Sequence, residues 1–106
     1  MALIQVKLKI VVLMTENDRS PHYRYHFVKH DKFLYQPTPG MVLLLDSGED
    51  FRIESCVYDT QNERFILSRY YYVSYYNDHD SEHNKIKKQF EKLGWKLVEP
   101  EKQTEV

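Results

Sequence analysis

Cross-linking chemistry is almost absent from this chain: Cys56 is its one cysteine. An intramolecular disulfide is excluded, and a reducing compartment is the expectation. Glycine is scarce, with three residues at 40, 48 and 94. That spread leaves no glycine-rich loop to cradle a phosphate. Net charge is −1, so no global field draws the protein to nucleic acid or anionic lipid. No apolar run approaches the roughly 20 residues of a membrane helix. Lys7 and Lys9 interrupt the first apolar stretch, and no basic segment precedes it, so no secretory pattern is read. A soluble cytoplasmic protein, with no membrane partner, is expected.

Aromatic residues are abundant, and tyrosine above all. Five of the nine tyrosines fall between Tyr70 and Tyr76. Residues 65–76, FILSRYYYVSYY, are almost all aromatic, aliphatic or β-branched, which suits a pleated surface. Alternation places Phe65, Leu67, Arg69, Tyr71, Val73 and Tyr75 on one face. Ile66, Ser68, Tyr70, Tyr72, Ser74 and Tyr76 take the other. Both faces carry rings. One can meet the core; the other needs a helix, a second subunit or a ligand.

Other strands are marked by the same period. Ile4, Val6, Leu8, Ile10, Val12 and Met14 form one apolar face, with Gln5, Lys7 and Lys9 opposite. Past Ile10 both faces turn apolar, which predicts a more buried stretch. After a polar turn at 15–21, Tyr23, Tyr25 and Phe27 share a face, opposite His22, Arg24, His26 and His30. Antiparallel pairing with the first strand is the simplest connection. His30–Lys32 is expected to end the pattern, and Phe33–Tyr35 to plug a loop. Pro37 and Pro39 exclude a central strand at 36–40. Met41–Leu45 lacks alternation and is expected to be buried. Hairpin loops are expected at 46–50 and 59–64, with one strand, Phe51–Tyr58, between them.

The segment after Tyr76 reads as a helix over about 82–93, with Asp80 or Ser81 as N-cap. Ile86, Phe90 and Leu93 make its apolar stripe. Gly94 stands where a left-handed residue should end it, with Trp95 folding back on Phe90. The fold class expected is α+β. It combines an antiparallel curved sheet or small open β-barrel of five to six strands, in meander order, with one C-terminal amphipathic helix. One domain over residues 1–99 and a flexible tail over 100–106 complete the expectation.

A pattern in the middle of the chain adds a resemblance. Pro39-Gly40-x-Val42-x-Leu44, a glycine-containing turn, Phe51-x-Ile53-x-Ser55-x-Val57-Tyr58-Asp59, a polar turn and Phe65-x-Leu67 follow a charged hairpin. Residues 3–67 thereby resemble small uncharacterised β-rich proteins of bacteriophages and mobile elements. The resemblance implies a small accessory protein that binds a host component or a virion neighbour. It implies no catalytic residue.

Chemistry in the sequence points to binding more than to catalysis. His79 and His83 are four apart in an acidic setting, D-H-D-S-E-H. That is a zinc pair's spacing only if the helix already includes His79; a helix cap explains the acids equally. His22, His26 and His30 lie about 13 Å apart in sequence along a strand at roughly 3.3 Å per residue, too far to share a metal. With Arg24 they could contact phosphate or carboxylate. Residues 1–45 hold six Lys or Arg against three Asp or Glu, and residues 46–76 the reverse. No cofactor is implied.

The expected site is Tyr70, Tyr71, Tyr72, Tyr75 and Tyr76 with Arg69, Arg64 and Arg24. The first reading is a non-enzymatic module that binds a protein partner or itself through this Tyr-rich sheet, as a homo-oligomer. The second is a nucleotide or single-stranded nucleic-acid binder, with rings stacking bases and Arg or Lys holding phosphates. Net charge weighs against long nucleic acid. The third is a small metal-dependent phosphodiesterase using His79 and His83.

Overall fold

In a computed structural model, residues 3–16, 21–75 and 78–98 are described. The first strand, β1 (Ile4–Glu16), pairs antiparallel with β2 (Pro21–Phe33), Ile4 facing Phe33 and Ile10 facing Phe27. The chain then forms a two-stranded sheet of β3 (Val42–Leu44) and β4 (Asp50–Arg52). It continues into β5 (Ser55–Asp59) and β6 (Arg64–Tyr75), an antiparallel hairpin. The helix α1 (His79–Lys92) and a final strand, β7 (Lys96–Val98), follow.

The class is α+β, with the helix C-terminal as expected. The main sheet is mixed and does not close on itself; its order is β5-β6-β1-β2-β7. The expected meander is corrected here: β6 lies against β1 in parallel register, Val6 beside Phe65 and Leu13 beside Tyr72. The long, doubly apolar end of β1 is the cause. A central strand flanked on both sides buries most, and β1 is apolar on both faces from Ile10 to Met14, all of them buried.

One face of this sheet carries the core. Val6, Leu8, Ile10, Val12 and Met14 of β1 meet Phe27, Leu67 and Tyr75 from the neighbouring strands. Ile86 and Phe90 of α1 cover one part of that face, and Leu45, Phe51 and Ile53 around β3–β4 cover another. The two covers meet where Phe51 stacks on Trp95, ring centroids 5.9 Å apart.

Local corrections have local reasons. Residues 30–32 do not break β2, which runs to Phe33, because β1 supplies partners along that whole length. Leu34 and Tyr35 plug nothing: they are 57% and 80% exposed. Met41–Leu45 is mostly exposed, since β3 lies in the small outer sheet and only Leu43 and Leu45 turn inward. Phe51–Tyr58 is not one strand; it bends at Ile53–Glu54, where buried Ile53 donates its N–H to the Met41 carbonyl. The helix starts earlier than expected, at His79, because Asp78 is the N-cap and its carboxylate accepts from the Asp80 N–H.

Candidate functional site

Because α1 and β3–β4 lie on the same side, the opposite face of the main sheet has no described element over it. Strand register assigns its residues. Tyr70 of β6, Val11 of β1, His26 of β2 and Val98 of β7 form one row. Tyr72, Leu13 and Arg24 form the next. On the other side of the first row lie Ser68, Lys9, Val28 and Lys96, then Ile66, Lys7 and His30.

The result is an apolar, aromatic floor with a basic border. Val11 and Leu13 are buried at the strand centre, between larger neighbours in their rows. Tyr70 and Tyr72 stand beside them, 39% and 70% exposed. Lys7, Lys9, Arg24 and Lys96 surround them. No Asp or Glu of β1, β2, β6 or β7 shares this face among the described residues. On β5, Asp59 does, and it pairs with Arg64 at 3.5 Å. Glu54 sits beside the edge of β6, where its Oε2 accepts the Tyr70 N–H at 2.6 Å.

Crowding of like charge shows in the ionisation of two groups. Burial pushes the Lys9 ammonium below its usual range, and Lys7 and Arg24 push in the same direction. His26 is pushed down to about 4, first by burial and then by Lys9, Arg24 and Lys7. Its ring is therefore neutral at pH 7. Lys7 and Lys9 thus stand close together beside His26, an arrangement that an anionic ligand would relieve.

The expected site residues divide between the two faces. Tyr70, Tyr72 and Arg24 come together on the open face. Tyr71 lies on the helix side, its ring edge-on to Phe90 at 5.8 Å. Tyr75 is buried there, 5.4 Å from the His79 ring. Arg69 also turns to the helix side and donates to the Asp50 carbonyl at 2.8 Å. Arg64 belongs to the β5–β6 turn. Tyr76 lies outside the described residues, as does the side chain of His22. Lys7, Lys9, His26 and Lys96 were not in the expected set. Alternation in β1 already marks Lys7 and Lys9 as solvent-facing, but only the parallel β1–β6 register puts them beside the tyrosines.

His79 and His83 have a different setting from the one proposed for a metal pair. The His79 ring stacks on Tyr23 at 3.7 Å and the His83 ring on Tyr25 at 4.0 Å. Nε2 of His79 shares a hydrogen bond with the Tyr25 hydroxyl at 2.9 Å. Burial pushes the Tyr25 phenol up to about 12, with Tyr23, Asp80 and Tyr75 adding to it. Among the described residues no group of three His, Cys, Asp or Glu side chains could hold a metal ion. The four stacked rings fasten the first turns of α1 to β2. Cys56 is half-buried, and burial raises its thiol pKa, opposite to what a nucleophile needs.

A cavity of about 100 Å³ lies on the helix side, lined by Ile10, Phe51, Arg69, Tyr71 and Phe90 among others. It is small beside the roughly 300–1,000 Å³ of ligand pockets. No helix among the described residues is long and apolar enough to cross a membrane. The chain matches no protein-family model, no curated protein and no solved structure.

Proposed function

We propose that the open sheet face binds a short stretch of single-stranded nucleic acid. One observation carries this reading: Tyr70 and Tyr72, side by side on an uncovered strand face, are bordered by Lys7, Lys9 and Lys96, and no Asp or Glu of β1, β2, β6 or β7 shares that face among the described residues. A flat face with exposed rings accepts unstacked bases, because every base has a π-face to offer. Residues two apart on a strand stand about 6.8 Å apart, a spacing that two successive bases can bridge. The cations then take the phosphates. A duplex hides its base faces and gains only the electrostatic part.

Net charge is a poor guide here, because the Lys and Arg of β1 and β2 on this face have no Asp or Glu of β1, β2, β6 or β7 beside them among the described residues. The six Lys or Arg of residues 1–45 include Lys7, Lys9 and Arg24, all brought to one surface by β1 and β2.

Fluorescence anisotropy tests the proposal, with labelled single strands of about eight nucleotides, DNA and RNA, beside the matched duplex. Single strands should bind and the duplex should bind more weakly. Tyr72→Ala should weaken binding by about 5- to 100-fold, the worth of one stacked base. Lys9→Gln should reduce the salt slope by about one. No anisotropy change at low salt, or full affinity in Tyr72→Ala, would overturn it.

A further inference from the structure

The sheet has a second open feature, its edge along β6. This strand spans Arg64–Tyr75, yet β5 pairs with it only from Arg64 to Ser68. At Glu54 the chain turns away: its N–H donates to the Ser68 carbonyl and its carboxylate accepts the Tyr70 N–H. Beyond Tyr70 no described strand lies along that side. Since the Tyr70 N–H points outward, alternation directs the Tyr72 N–H and carbonyl outward as well. Those groups present a template for another strand.

We propose that this edge pairs antiparallel with the same edge of a second copy, about a twofold axis at Tyr72, joining two sheets into one. Three features favour a second copy over an unrelated peptide. The stretch Tyr70–Val73 is uncharged and lacks proline, lysine and glycine, so beyond the Glu54 carboxylate at its start none of the usual edge protection is present. It is self-complementary: Tyr72 meets Tyr72 of the partner subunit as a bond-exchanging pair, and Tyr71 meets Val73 of the partner subunit, twice by symmetry. Aromatic and β-branched pairs of this kind stabilise antiparallel strands. The joined sheet also continues the open basic face, so that the Tyr70 and Tyr72 rings of both copies gather at its centre. The Glu54 carboxylate, holding the Tyr70 N–H, limits the pairing to a few residues.

The other edges fit this role less well. β7 is three residues long and carries Lys96. β5 ends in the charged pair of Asp59 and Arg64.

Sedimentation velocity of the full chain, without nucleic acid, over a hundredfold range of concentration tests this. The weight-average coefficient should rise from monomer toward dimer. Tyr72→Lys, which sets two like charges face to face, should return it to monomer with an unchanged far-UV spectrum. Val57→Lys, on β5, should leave the dimer intact. A monomer throughout, or a dimer lost in Val57→Lys and kept in Tyr72→Lys, would overturn the proposal. Because no nucleic acid is present, this outcome is independent of the binding test above.

Discussion

Glu49 shows how one side chain holds two layers together. Its Oε1 accepts from the Trp95 indole N–H at 2.7 Å, from Ser47 Oγ at 2.9 Å and from Lys29 Nζ at 3.3 Å. Lys29 also donates to the Leu93 carbonyl at 2.8 Å and lies 4.9 Å from the Trp95 ring centroid. One carboxylate thus links the β3–β4 turn, the end of α1 and strand β2. Trp95 is 2% exposed, so removing its acceptor leaves a buried donor unmet. Glu49→Ala should destabilise the protein by about 1–3 kcal/mol. Glu49→Gln, which retains an acceptor oxygen, should cost about 1 kcal/mol or less. Urea midpoints of the two variants against the parent measure the difference. Nothing in the sequence around Glu49 marks it, since its partners are contributed by residues 29, 47 and 95.

Among the elements, α1 was the most legible. Gly94, at φ +93°, ends it in the expected left-handed conformation. The Gly94 N–H donates to Glu91 O and the Trp95 N–H to Phe90 O, each at 3.0 Å. This is the paired-bond ending that a glycine followed by a large apolar residue announces. A side chain at 94 would be strained by φ and would also meet Lys29 Cε at 3.4 Å. Gly94→Ala should therefore destabilise by about 1–2 kcal/mol, seen as a lower denaturation midpoint with the helical signal retained. The other end was misread for a reason of the same kind. Asp78, Asp80 and Ser81 are all good caps by type. Packing of His79 on Tyr23, a residue far away in sequence, selects the first of them.

For the whole molecule, acid should act chiefly through His26 on the open face. A histidine in an unfolded chain titrates near pH 6.5, whereas His26 in the fold protonates at about 4. Between those values the unfolded chain binds more protons, so stability falls as pH falls. The contribution is complete above about pH 6.5 and gone by about pH 4. His83 is shifted in the same direction, first by burial and then by His79 and Lys87, with Asp80 opposing. The Asp59 carboxyl, held low chiefly by the Asn62 side chain, acts only at more acid pH. The ring of His26 is partly solvated, so the loss between pH 7.5 and 4.5 should be about 1 kcal/mol. Urea titrations at the two pH values measure it. His26→Gln should flatten the dependence, and an equal slope in that variant would assign the effect elsewhere.

Sequence alone determined what depends on short-range pattern. Strict alternation located β1 and the tyrosine strand, the polar turns located two hairpins, and Gly94 located the end of the helix. It also separated the tyrosines into two sets, one on each side of β6. Which set stays uncovered was decided only in three dimensions. Placement of α1 and β3–β4 on one side covers Tyr75 and leans on Tyr71, leaving Tyr70 and Tyr72 in the open. The parallel contact of β6 with β1 then brings Lys7 and Lys9 beside them from about sixty residues away in sequence. No local period encodes that contact. It follows from β1 having two apolar flanks to bury, and only the assembled sheet supplies the second strand.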